Sequence, residues 1–267
     1  MHPRFLAVLL TLTLGATACG GGNQPAQTPA TQDQAAAPAS SVDPATAATV
    51  AGKITLEGTP PPNQPIRMNA DPACVAATKG QPPPTQETYV VGDGNGLGNV
   101  FVYVQSGLNG SFPAPTNAVV FDQKGCHYIP HVFGVQVGQP IEILNSDATL
   151  HNVHATPKVN QEFNTAQPIQ GMKTTHTFTA KEPDVVVPFK CDVHGWMNAY
   201  AGVVDHPYFA VTKADGSFSI PNLPPGTYTV AAWHERLGSQ TQSITVAAKE
   251  SKSDANFTFK AAAASGN

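Results

Sequence analysis

Residues 185–197 read VVVPFKCDVHGWM, and residues 140–154 read PIEILNSDATLHNVH. In the first stretch Val185, Val187, Phe189 and Cys191 alternate, so the period of two puts them on one face of a strand. The Cys191 sulfur therefore points into a core. Residues 199–204 resume a strand pattern, which leaves Cys191, His194 and Met197 three residues apart on a tight loop between two strands. Thiolate, imidazole and thioether together suit a soft, redox-active metal. Copper cycling between Cu(I) and Cu(II) takes two imidazoles and a thiolate with a weak axial thioether, whereas zinc has little use for methionine. The set needs one more imidazole, and His151 in the second stretch offers it from a neighbouring strand.

These motifs lie in a stretch, residues 117–204, that resembles a cupredoxin, closest in loop pattern to amicyanin and more loosely to plastocyanin. The family's run of a proline, a strand, Val-Gly, a strand ending in Asn and then His-Asn-Val stands here as Pro130, 135–138 (VQVG), 141–145 (IEILN) and His151-Asn152-Val153. Its short Cys-x-x-His-x-x-Met loop stands as Cys191, His194 and Met197. The resemblance implies a Greek-key β-sandwich that binds one type 1 copper through His151, Cys191, His194 and Met197. Asn152 would support the site with a backbone amide aimed at the sulfur. It also implies one-electron transfer, with the edge of the loop histidine emerging through an apolar surface patch. Trp196 is the local candidate for that patch, where a redox partner such as a c-type cytochrome or a periplasmic dehydrogenase would dock; plain core packing of Trp196 is the equal alternative. One departure is Gly195-Trp196, where a proline beside the histidine is common in the family.

The other candidates have plainer readings. His154 falls on the opposite strand face from His151, and alternation pairs His176 with Phe178 as packing. His127 and His131 read as structural or exposed, and Met172, after Gly171, is a rival axial ligand. No P-loop, dinucleotide fingerprint or nucleophile elbow is visible, so side-chain catalysis is not expected.

Composition narrows the rest. The 267 residues carry 14 Lys+Arg against 18 Asp+Glu, a formal charge of −4, which leaves no electrostatic footprint for nucleic acid. With 23 glycines and 25 prolines a helical bundle is equally unsuited. Arg4 followed by the apolar run 5–14 is too short to span a bilayer and reads as a signal peptide, residues 1–18. Ala18-Cys19-Gly20 resembles a bacterial lipoprotein signal, with Cys19 lipidated and the chain anchored in the periplasm or at the cell surface; Ala16 departs from the Leu or Val usual there. Residues 19–48, rich in Ala, Pro, Gln and Thr, read as a disordered tether. Of four cysteines, Cys19 belongs to the lipid signal and Cys191 to the metal, which leaves Cys74 and Cys126 to pair as a disulfide or to stand as two buried thiols.

Towards the C-terminus, Phe218/Ile220, Tyr228/Val230/Ala232, Ile244/Val246 and Phe257/Phe259 alternate, with turns at Asp215-Gly216 and Pro224-Pro225-Gly226. Residues 215–230, DGSFSIPNLPPGTYTV, resemble the signature of carboxypeptidase regulatory-like (prealbumin-type) β-sandwich modules. That module lacks opening strands here, and residues 49–56 and 99–105 are candidates to complete it. The expected fold is therefore all-β. A cupredoxin sandwich (118–206) is expected between an N-terminal β segment (49–117) and a C-terminal sandwich (207–262); the N-terminal segment either completes the C-terminal sandwich, which makes the cupredoxin an insertion, or extends the cupredoxin sheet. The favoured function is electron transfer by type 1 copper in a membrane-tethered lipoprotein; the alternative is an adhesive or scaffold β-sandwich that binds copper for structure or storage.

Overall fold

Alternation of buried and open side chains organises the strands of this protein, which a computed structural model describes over residues 42–261. The expected signal peptide, Cys19 with its expected lipid and most of the expected tether lie outside the described residues. The strands in chain order are β1 (Ala48–Glu57), β2 (Phe101–Ser106), β3 (Val119–Lys124), β4 (His127–Ile129), β5 (Val132–Gln136), β6 (Pro140–Asn145), β7 (His151–Ala155) and β8 (Phe163–Gln167). They continue as β9 (Lys173–Thr177), β10 (Val186–Lys190), β11 (Asn198–Val204), β12 (Phe209–Val211), β13 (Ser217–Leu223), β14 (Gly226–His234), β15 (Gly238–Val246), β16 (Ser251–Lys252) and β17 (Phe257–Lys260). The α-helix α1 (Pro72–Ala77) lies between β1 and β2.

Four sheets form two sandwiches. In the first, a five-stranded sheet ordered β5-β11-β10-β7-β8 faces a four-stranded sheet ordered β4-β3-β6-β9. Its core contains Phe121, Ile141 and Ile143 from one sheet and Phe133, Val187, Phe189 and Ala199 from the other. In the second sandwich, β1 pairs antiparallel with β13 and parallel with β16 and β17, while the opposing sheet runs β12-β2-β14-β15. Ile54, Leu56, Val102, Val104, Val230, Ile244 and Phe257 fill its core. Strands β1 and β2, from before the first sandwich, are thus sheet partners of strands that follow it. Between them the chain crosses over: Ile66, Met68 and Cys74 pack into the core of the first sandwich. Residues 49–117 therefore serve both units, strands in one and a connector in the other.

The two sandwiches meet through glycine. Gly202 of β11 is paired with Gly134 of β5, and their bare backbone receives aromatic rings of the second sandwich. A Cβ at Gly202 would lie 2.3 Å from the Phe101 ring, and one at Gly134 would lie 2.3 Å from Phe209. Gly202→Ala is therefore expected to lower stability by roughly 1–3 kcal/mol through overpacking. Urea denaturation checks this, with the midpoint falling at an unchanged slope.

A buried polar triad crosses the same seam. His131 Nε2 lies 2.6 Å from Glu235 Oε1, His131 Nδ1 lies 3.1 Å from the Asn198 carbonyl, and the Tyr200 hydroxyl donates to Glu235 Oε2 at 3.2 Å. Both ring nitrogens face acceptors, an arrangement that only the imidazolium satisfies. Burial pushes the His131 pKa down, but Glu235 outweighs it and the net shift is upward. A raised folded pKa means that the stabilisation is complete below the unfolded value of about 6.5 and is lost as pH rises through the folded value. His131→Gln should thus cost about 3 kcal/mol in mildly acidic solution, where an anion is left unpaired in the seam. The gap to the parent should narrow steadily on the alkaline side, as denaturation at a series of pH values would measure.

Candidate metal centre

The site is built at one end of the first sandwich. Val187, Phe189 and Cys191 are buried in one core, so the strand alternation that carries Phe189 there also carries the Cys191 sulfur. Val185 does not share that face: it precedes β10 with a φ of 61° and packs instead against the seam with Phe101. Strands β10 and β11 form a hairpin with Lys190 opposite Asn198, and the loop between them closes by Cys191 N–H to the Met197 carbonyl at 3.1 Å and Met197 N–H to the His194 carbonyl at 2.8 Å. Strand β7 pairs with β10 at Lys190–His154, which brings the start of β7, His151, beside the start of that loop.

The result is a buried cluster. His151, Cys191, His194 and Met197 are exposed by 0%, 2%, 3% and 1% respectively. His151 Nδ1 and His194 Nδ1 are 3.0 Å apart, and Cys191 Sγ is 3.9 Å from His194 Nδ1. The three potential donor atoms all lie within 4.8 Å of one another. Each histidine presents Nδ1 inward because its Nε2 is taken by a carboxylate. His151 Nε2 lies 3.0 Å from Asp147 Oδ2, and His194 Nε2 lies 2.9 Å from Asp71 Oδ2. A carboxylate at Nε2 fixes the Nε2–H tautomer and leaves the Nδ1 lone pair for a metal. Asp147 is itself held by the amides of Gly125 and Cys126, at 2.8 and 2.7 Å.

The electrostatics suit a thiolate. Burial raises the Cys191 pKa, but His151 and the backbone amides of Asn152, His194 and Val193 outweigh it and bring the thiol down to about 7. The His194 amide is 3.4 Å from the sulfur. Asn152 also accepts from Cys191 Sγ at 3.3 Å and from the Asp192 amide at 2.8 Å through Oδ1, and its carbonyl accepts from the Tyr128 hydroxyl. Burial lowers the His151 pKa, yet Asp147 and Cys191 raise it overall to about 9. Two inward Nδ1 atoms and a sulfur inclined to ionise, with the buried Met197 three residues after His194 on the same loop, offer donors that fit copper by softness and by residue type.

The other histidines stay outside this cluster. His154 turns away to Asp192 and Glu162, at 2.9 and 2.7 Å. His127 Nδ1 lies 2.9 Å from the Gly125 carbonyl, and His176 stacks on Phe163 with ring centroids 3.7 Å apart. Cys74 and Cys126 form a disulfide.

One expectation needs correcting. His194 was to show an edge at the surface, but the connector closes over it: Asp71 binds its Nε2, and Cys74 Sγ stands 3.7 Å from the same atom. Trp196 is half-buried beside it, ring centroid 4.9 Å from that of His194, with its indole N–H donated to the Cys126 carbonyl at 3.0 Å. Its own carbonyl accepts from Gln86 at 3.0 Å, a second hold by the connector. Asp147 and Asp71 were missed as partners of the histidines. Asp147 sits four residues before His151 inside the quoted motif, whereas Asp71 carries only a local signal, that of a helix N-cap before Pro72.

Comparison with known proteins gives partial likenesses. One protein family, polysaccharide lyase family 4 domain II, matches residues 178–254, a minority of the chain. No curated protein matches this chain. Similar solved structures include a copper-containing nitrite reductase from Thermus scotoductus SA-01, 21% identical over 38% of this chain and 25% of that one, with a TM-score of 0.30. An oxidised amicyanin variant is 26% identical over 32% of this chain and 81% of that one, with a TM-score of 0.28. A purple cupredoxin from Nitrosopumilus maritimus is 19% identical over 32% and 98%, with a TM-score of 0.27. This chain spans only a quarter of the nitrite reductase chain. By its sheet order the part carrying β3–β11 is a two-sheet β-sandwich, and a further β-sandwich accompanies it.

Proposed function

We propose that the protein is a one-electron carrier whose type 1 copper is held by His151, Cys191, His194 and Met197. The observation that carries this reading is the convergence of two Nδ1 atoms and one sulfur, all buried, within 4.8 Å. Bound copper would supply the one-electron couple. The chain's part is to hold its donors in a single geometry and keep water away, which a β-sandwich with carboxylate-fixed histidines is suited to do. In this reading Cys19 carries a lipid, residues 19–48 form a tether, and the site works in the periplasm or at the cell surface. Electrons pass to and from redox proteins such as a c-type cytochrome or a periplasmic dehydrogenase, with Trp196 at the contact and no side-chain catalysis. The C-terminal sandwich, read as a carboxypeptidase regulatory-like module, acts as a scaffold.

The burial of His194 favours a second reading in one respect, since a site shut beneath a connector suits copper held for structure or storage. Stoichiometric copper loading separates the two. An intense thiolate-to-Cu(II) band in the visible spectrum is expected of the electron carrier; tight binding without that band would leave the storage reading.

A further inference from the structure

We propose that Asp71 is a positioning residue of the metal centre, delivered to His194 by the connector that the Cys74–Cys126 disulfide staples in place. The inference rests on the metal-centre reading above and adds a residue that the ligand motif does not contain. Asp71 divides its two oxygens between separate tasks. Oδ1 caps α1, accepting from the amides of Ala73 and Cys74 at 2.8 and 3.2 Å. Oδ2 takes no part in the cap; it faces His194 Nε2 at 2.9 Å and accepts from the Thr149 hydroxyl at 3.1 Å. Thr149 stands two residues before His151, and its carbonyl is held by Asn145 at 3.0 Å, so the orienting group is itself fixed.

Several contacts hold the connector in place. Ile66 and Met68 are buried in the core, the Asp71 amide donates to the Met68 carbonyl at 2.9 Å, and Cys74 is bonded to Cys126. Cys126 in turn donates its amide to Asp147, the carboxylate behind His151. The disulfide thus joins the segment that carries Asp71 to the turn whose amides hold Asp147. Asp71 Oδ2 has only donors in front of it, the Nε2–H of His194 and the Thr149 hydroxyl, as suits a carboxylate oxygen. An anion at Nε2 keeps the proton on that nitrogen, leaves Nδ1 free and raises its basicity as a ligand.

Replacing Asp71 by Asn separates positioning from capping. Asparagine caps helices as well as aspartate does, but its amide group offers His194 Nε2–H no anion. The first measurement uses metal-free protein: long-range nitrogen–proton NMR spectra of the histidine rings. The parent is expected to show His194 as the Nε2–H tautomer, with Asp71→Asn shifted towards Nδ1–H at an unchanged melting temperature. The second measures copper affinity by competition with a Cu(I) chelator, where a loss of tenfold or more is expected. Asp71→Glu, which restores the anion, should recover part of that loss. An Asp71→Asn protein with the parent's tautomer and the parent's affinity would reduce Asp71 to a helix cap and overturn the proposal. Because neither measurement reads the visible band, a parent protein that binds copper without the band would sink the electron-carrier reading while leaving Asp71 its role.

Discussion

Replacing Cys191 by serine is expected to abolish the visible charge-transfer band of the copper-loaded protein while leaving the fold intact. The band needs a thiolate bonded to Cu(II), and Cys191 is the only free cysteine among the described residues. A serine hydroxyl fills nearly the same space and can donate to Asn152 Oδ1, which now lies 3.3 Å from the sulfur. It can also accept from the His194 amide, so no buried polar group loses its partner. The stability cost should therefore be about 1 kcal/mol, near the mean for single substitutions, and the melting temperature should fall by about 2–4 °C for a domain of this size. Visible absorption of the copper-loaded protein checks the first half, and thermal unfolding of the metal-free protein, where no bound metal adds to stability, checks the second. A band that survives in Cys191→Ser would mean that copper takes its thiolate from elsewhere, and the assigned donor set would be wrong.

What the sequence discloses about this site follows from how local each relation is. Cys191, His194 and Met197 are neighbours on one hairpin loop, and the alternation of Val187 and Phe189 says which way the sulfur points. No tertiary information is needed for that. Strand ends in the second sandwich are marked by Asp215-Gly216 and Pro224-Pro225-Gly226, turn residues with a definite backbone preference, but each turn carries the chain from one sheet to the other, β12 to β13 and β13 to β14. Pairing between β1 and β13 is different, because main-chain hydrogen bonds between distant strands leave no mark on either side chain pattern. Only the absence of opening strands before residue 208 pointed to partners upstream. The contact of Asp71 with His194 spans 123 residues of sequence and depends on where a connector of low regularity crosses the first sandwich. An aspartate before Pro-Ala-Cys reads locally as a helix cap, which it is, and nothing in that reading discloses the second oxygen. The expectation of an exposed His194 failed for the same reason: the group covering it comes from a segment whose strands belong to the other unit.

Removing the disulfide, by Cys74→Ser with Cys126→Ser, should lower stability by about 4 kcal/mol, since closing a loop of 52 residues restricts the unfolded chain by that amount in the chain-entropy account. Both sulfurs are fully buried, so the two hydroxyls add a further cost of desolvation. Denaturant unfolding of the oxidised parent and the double variant measures the difference. A thiol count on the denatured, metal-free, unreduced parent verifies the premise, with Cys191 as the one reactive thiol expected from residues 42–261. The variant also asks what holds the connector against the metal centre. If the bond is the staple, copper affinity should fall together with stability, because Asp71 leaves His194 when α1 is released. If stability falls and affinity stays, burial of Ile66 and Met68 is enough to keep Asp71 in place, and the disulfide acts on the unfolded chain alone.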